Sequence, residues 1–224
     1  MPMPNPAKPL VFFIVLISCQ QAGGQGIGLK GGLNLASVLE KDNDYDYSQD
    51  YIPKAGFHAG IMADIHLKDM FCLETGLLFE QKGFRYHIDV QGLEIKARTV
   101  LYYLDLPVNM KLRYKVEEEL NVTATLGPYI GYGLWGNYRE SFDFGGATDI
   151  ELEIKWGNEE DDAVKRVDWG VGIGIGAEYA GLTVGLSFDL GLANLSPYTG
   201  DGDKLKNRVV RLSAGYFFGF GRGE

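Results

Sequence analysis

Val167-Asp168-Trp169-Gly170-Val171-Gly172-Ile173-Gly174-Ile175-Gly176-Ala177-Glu178-Tyr179 is the stretch that decides the fold. Every odd position from Val167 to Tyr179 is apolar, and every even one is glycine or an acid. A two-residue period belongs to a β-strand, whose side chains alternate between two faces. The glycines superficially suggest a nucleotide-binding fingerprint. That motif needs a strand turning into a helix, and no helical pattern follows. The segment is therefore a strand with one apolar face and one nearly bare face.

Working outward, the scheme recurs. The stretch 182–192 sets Leu182, Val184, Leu186 and Phe188 against Thr183, Gly185, Ser187 and Asp189. Residues 210–218 set Val210, Leu212 and Tyr216 against Arg211, Ser213 and Phe217. Upstream, 120–134 places Leu126, Ile130, Tyr132 and Leu134 opposite Thr125, Tyr129, Gly131 and Gly133. In 102–114, Tyr102, Leu104, Leu112 and Tyr114 oppose Tyr103, Asp105, Lys111 and Arg113. The stretches 71–82, 57–67 and 27–35 complete a set of eight. Each has about ten residues, the length a tilted strand needs to cross a bilayer.

The links alternate too. Those at 68–69, 115–119 and 180–181 are short, whereas 37–54, 84–97, 137–165 and 193–207 are long. Short turns at one end and long loops at the other is the layout of an outer-membrane barrel, with the short turns periplasmic. The expectation is an all-β fold: an eight-stranded antiparallel up-and-down transmembrane β-barrel.

Composition agrees. Thirty-one glycines, 13 tyrosines and 12 phenylalanines without a collagen period suit an all-β chain. No apolar run is long enough for a helical span. A net charge of -9 lacks the basic footprint of a nucleic-acid binder. Near the start, Lys8 precedes the apolar run Leu10 to Ile17 and then small residues, as in a secretory signal peptide. Residues 1–24 are expected to be that signal and 25–224 the barrel domain. Ala22-Gly23-Gly24 suits simple cleavage, while Leu16-Ile17-Ser18-Cys19 resembles a lipobox with Cys19 lipidated; the first is favoured. The other cysteine, Cys72, reads as a small strand residue.

Alternation alone does not say which face is outside, because a soluble lipocalin-like barrel alternates as well, apolar face inward. Two features favour the membrane. The polar face is crowded with glycine, which suits a narrow interior. The apolar face carries aromatics near both ends, with Tyr102 and Tyr114 on one strand and Trp169 and Tyr179 on another, as in the girdles where lipid meets water. The lumen would then hold Asp64, Glu74, Glu80, Asp105, Asp168, Glu178 and Asp189 with Lys30, Lys82, Lys111, Arg113 and Arg211. Buried charges must pair, and eight strands leave room only for side chains, so a plugged lumen is expected.

Catalytic, cofactor and metal sites are expected to be absent. Asp42-Asn43-Asp44-Tyr45-Asp46 begins like a calcium loop, but Tyr47 and Pro53 stand where glycine and glutamate belong. His58, His66 and His87 lack ligand spacing. A rim enzyme acting on lipid would draw on His87, Asp89 and Ser141 or Ser196, without support from their spacing. Loop 37–54 carries five acids against two bases, and loop 137–165 nine against three. These acidic loops are solvated surface or a recognition face for a partner or cation.

Three segments resemble the PorT-like small outer-membrane barrels of the Bacteroidota, a Gram-negative group: Gly28-Leu29-Lys30-Gly31-Gly32-Leu33-Asn34, Tyr103-Leu104-Asp105-Leu106-Pro107-Val108, and Asn207-Arg208-Val209-Val210-Arg211-Leu212-Ser213-Ala214-Gly215-Tyr216. The resemblance spans almost all of the chain after the signal. It implies an eight-stranded outer-membrane barrel without catalytic residues, and its founding member assists a protein secretion system. The chain departs from such barrels after Phe218-Gly219-Phe220, where Gly221 to Glu224 follow the terminal aromatic. The favoured reading is a non-enzymatic structural or protein-interaction component of the outer membrane. Its partners would be the lipid bilayer, the barrel-assembly machinery, and extracellular or secretion-system proteins met through the loops. A secretion accessory, a soluble ligand-binding barrel and a rim-site lipid-modifying enzyme are the alternatives.

Overall fold

The computed structural model describes residues 25–90, 93–143, 147–198, 200 and 202–219. The expected signal 1–24 with Cys19, and the last residues from Phe220, lie outside them. Nine strands follow in order: β1 Gln25–Lys41, β2 Tyr51–Lys68, β3 Phe71–Val90, β4 Leu93–Lys115, β5 Leu120–Asp143, β6 Ala147–Glu153, β7 Val167–Tyr179, β8 Leu182–Gly191 and β9 Lys204–Phe218. Eight of them, all but β6, close a ring in which each pairs antiparallel with its sequence neighbour. The ring is sealed by β1 on β9, from Ile27↔Phe218 to Lys41↔Lys204. Closure leaves no bare edge in the wall, as a backbone crossing lipid requires.

The barrel is inside-out. Leu33, Ile175, Leu126 and Leu212 are each more than 60% exposed, whereas Glu80, Lys82 and Asp168 are fully buried. A soluble lipocalin-like barrel would show the reverse, so that alternative falls. The expected girdles are present on the outer wall. Phe57, Phe79, Tyr102 and Trp135 run across β2 to β5 with neighbouring ring centroids 4.8–6.1 Å apart. Tyr114, Tyr179, Tyr216 and Phe218 are exposed at the opposite end.

Turn chemistry matches the short end. Tyr179 pairs with Leu182 across Ala180-Gly181, both at positive φ (48° and 87°), as a two-residue I′ hairpin requires. Three details differ from the sequence reading. Much of the long links is strand: β1 continues to Lys41, β3 and β4 pair out to Val90↔Leu93, and β5 runs to Asp143. Beyond the lipid the alternation inverts: Phe84 and Tyr86 stand on the inner face against Tyr51, and Arg85 and His87 on the outer, so the ladder persists while the lipid-facing apolar row ends. A ninth strand, β6, hangs on β5 alone, from Asn137↔Glu153 to Asp143↔Ala147. Finally, the alternation slips once on β5. Tyr103 pairs with Gly133 but Tyr102 with Trp135, so Leu134 is the extra residue of a bulge and Trp135, not Leu134, carries on the outer aromatic row.

Candidate functional site

Inward-facing glycines let large side chains cross the lumen. A Cβ on Gly28 would lie 2.7 Å from the Phe217 ring, and one on Gly170 would lie 2.8 Å from the Tyr129 ring. Buried Tyr103, Tyr129 and Phe217 use that room. Between them the expected charges meet in two layers.

The layer nearer the short turns is balanced, three cations against three carboxylates. Lys30 reaches Glu74 at 3.0 Å. Lys111 reaches Asp64 at 2.6 Å and also pairs with Glu178. Arg113 contacts Asp64 and Glu178 at 2.6 Å each. Nearer the long loops, Arg211 grips Glu80 through two donors at 2.7 Å and Asp189 at 2.6 Å. Lys82 meets Asp105 at 2.8 Å and Asp168 at 3.0 Å. Here four carboxylates face two cations. Neutral donors serve the surplus: Asn34 to Glu80 at 3.2 Å, and Asn207 and Tyr129 to Asp168 at 2.9 and 3.3 Å. Lys82 also lies 4.6 Å and 4.8 Å from the Tyr103 and Tyr129 ring centroids. Among the described residues, two interior cavities hold about 40 Å³ each, room for a few waters, while a wider vestibule of about 400 Å³ opens below Arg113, Glu178 and Phe217 at the short-turn end.

Above the upper layer, the chain between β6 and β7 folds back over the mouth. Trp156 stands edge-on to Tyr103 at 5.6 Å and fills the space beside Gly133, where a Cβ would lie 2.3 Å from its ring. Val164, Ala193 and Leu195 pack with Ile154, Trp156 and Leu205 into a small apolar cap. Arg166 ties the cap to the bulge by donating to the Gly133 carbonyl at 3.0 Å. The alternation of Ile150, Leu152, Ile154 and Trp156 with Asp149, Glu151, Glu153 and Lys155 was a strand signal inside the long link, but nothing in the sequence places Trp156 over the mouth.

The other sequence candidates scatter. Asp42 is occupied by its own loop: its carboxylate accepts from the backbone N–H groups of Asp44 and Tyr45 at 2.7 Å each, which hold it below the usual carboxylate range. Asp46 caps the turn Tyr47–Gln49 through the N–H of Ser48. His58 bonds Ser213 at 2.9 Å, and His66 lies 3.8 Å from the buried Cys72 sulfur. His87 and Ser141 stand in one cross-strand row with Lys96 between them. Two strand spacings put them about 10 Å apart, and the Ser141 hydroxyl donates to Asp149 at 2.7 Å. Ser196 bonds Tyr198 within its own loop, and the Asp89 side chain lies outside the described residues. His87 thus stands apart from Ser141 and Ser196, and the one Ser–His contact among the described residues, His58 with Ser213, lies inside the lumen wall.

Comparison with known proteins gives three findings. The family model described as outer membrane protein beta-barrel domain matches residues 20–196. No curated protein sequence matches. Among solved structures the chain is similar to Ail, the attachment invasion locus protein of Yersinia pestis (15% identity, 88% of this chain, 100% of that one, TM-score 0.38). It is also similar to OprG from Pseudomonas aeruginosa (14%, 88% and 96%, 0.45) and to outer membrane protein W of E. coli (14%, 89% and 100%, 0.40). With the closed ring, the lipid-facing wall and a family match over most of its length, the chain belongs to the outer membrane protein beta-barrel domain family and resides in the outer membrane.

Proposed function

We propose that this barrel is a non-conducting, non-enzymatic component of the outer membrane, and that it acts through its extracellular hairpins. The observation that supports this most is the obstruction of the lumen by two ion-paired layers under the Trp156 cap. An ion crossing the barrel would have to displace salt-bridged side chains from their partners, leaving a buried charge uncompensated. The strands that run on past the lipid give the hairpins a stiff base, suited to contact with other proteins. Residues 1–24 would direct export, and the barrel-assembly machinery would insert the chain. The resemblance of three segments to PorT-like barrels favours a protein partner, a secretion system among the candidates.

Planar-bilayer recording tests the reading. Purified protein at neutral pH is expected to give no steady single-channel steps. Reproducible steps from the wild-type chain would overturn it in favour of a pore.

A further inference from the structure

Three arginines stand abreast on the wall that rises above the membrane. Arg85 on β3 is the direct cross-strand partner of Arg98 on β4, which is in turn the partner of Arg139 on β5. Like charges directly opposite one another destabilise a sheet. Arg139 is relieved by Glu151 at 2.7 Å, and Arg85 donates to the Pro53 carbonyl at 2.9 Å. Among the residues whose side chains are described, neither Arg85 nor Arg98 has a carboxylate partner. His87, Lys96 and Ser141 form the next row of the same face, and with Ile52 these side chains line one open groove. In a chain of net charge -9, with loops still more acidic, this cationic strip is the exception.

Its direction identifies what it meets. Leu101 and Thr99 are buried toward the axis, so Arg98, between them and Ala97, points outward on the face that carries Tyr102 and Leu104. The strip is thus the upward continuation of the lipid-facing wall, above the girdle of Phe79, Tyr102 and Trp135. Arg98 stands four positions before Tyr102, about 13 Å along a strand and about 10 Å of height at the usual tilt. Aromatic rings mark the headgroup boundary, so the guanidinium groups stand beside the headgroups and face them sideways. Neighbouring strands place two forks about 4.8 Å apart, close enough to share one phosphate, which guanidinium binds in a bidentate manner.

We infer that the Arg85–Arg98–Arg139 row is a binding site for the phosphate groups of outer-leaflet glycolipids. It is independent of whether the lumen conducts.

The test is a titration of the purified full-length protein in micelles with bisphosphorylated lipid A, followed by tryptophan fluorescence. Dephosphorylated lipid A, inorganic phosphate and a soluble sulfated oligosaccharide form the other arms. Saturable binding of the bisphosphorylated lipid is expected, at least tenfold weaker without its phosphates. The double variant Arg85→Gln/Arg98→Gln should bind at least tenfold more weakly. Since it removes a repulsion, it should also keep the heat-shifted gel mobility of a closed barrel and unfold no more easily than wild type. Equal binding by the variant or by the dephosphorylated lipid would overturn the site. Equally tight binding of free phosphate or the soluble polyanion would overturn the lipid assignment, and a marked loss of stability would make the row structural.

Discussion

Arg211 holds Glu80 with two parallel donors, each at 2.7 Å, across 131 residues of sequence. The pair ties β9 to β3 through the lumen, bracing strands that are not neighbours in the ring.

Breaking that brace from one side should be severe. Arg211→Met leaves Glu80 and Asp189 buried with fewer partners, an expected loss of about 3–5 kcal/mol. Glu80→Leu combined with Arg211→Met should cost less than the sum of the single changes, because it removes an acceptor along with its donor. Urea unfolding read by gel mobility measures both. Strict additivity would show that the two side chains act independently.

The two faces of β7 should respond oppositely to substitution. Ile173 is 58% exposed on the lipid wall, and Ile173→Arg is expected to cost about 2–4 kcal/mol at mid-membrane. Gly172→Ser points into the lumen, where its Cβ meets only the Asp189 carboxylate tip at 2.7 Å, a contact a side-chain rotation relieves. Gly60→Ser would drive the same atom into the Leu77 carbonyl at 2.0 Å and should be far worse. Equal tolerance of Ile173→Arg and Gly172→Ser would reverse the assignment of the faces.

Of the three tryptophans, Trp135 and Trp169 are half-exposed on the outer wall, while Trp156 packs over the lumen against Tyr103. Single-tryptophan variants in vesicles of brominated lipid should show strong quenching for Trp135 and Trp169 and little for Trp156. Quenching of Trp156 as strong as the others would mean the cap is not seated.

Acid should loosen the first extracellular hairpin. The folded Asp42 carboxylate titrates below its ordinary value of 3.8 because the backbone N–H groups of Asp44 and Tyr45 stabilise its charged form. A depressed folded value means that the contribution is complete above the ordinary value. It disappears as the pH falls through the lowered one. Amide shifts of Asp44 and Tyr45 should therefore titrate with a midpoint below 3.8 and become insensitive in Asp42→Ala. A midpoint at or above the ordinary value would contradict the geometry.

The barrel was legible because lipid imposes a strict rule on it. Wherever a strand touches the bilayer, as at Val167–Tyr179, every second residue must be apolar, and that writes the fold into the sequence. The lumen charges were legible for the same reason, although their partners were not, since Glu80 and Arg211 are joined by ring closure and not by spacing. Outside the lipid the rule lapses. The strand extensions and β6 still alternate, as in Phe84-Arg85-Tyr86-His87 and Asp149-Ile150-Glu151-Leu152-Glu153, but the apolar residues no longer continue the lipid-facing row, and Leu134 is a single inserted residue that shifts the phase silently. The arginine row was hidden differently. Arg85, Arg98 and Arg139 fall in three separate stretches of chain, and only antiparallel register brings them level.

The bulge at Leu134 is also a junction. Below it β5 pairs with β7, from Leu120↔Tyr179 to Tyr132↔Val167, and above it β5 pairs with β6. Among the described residues, β6 is attached to the ring at β5 alone, while 154–166 are held by Arg166 at the seam and by the apolar cap with Ala193, Leu195 and Leu205. Because β6 takes no part in ring closure, the β5–β6 hairpin can lengthen, shorten or be exchanged without disturbing the ring below. The closed ring thus serves as a frame and β6 as an outgrowth on it, and the tip of the β5–β6 hairpin is where a foreign epitope could be grafted while the frame still inserts.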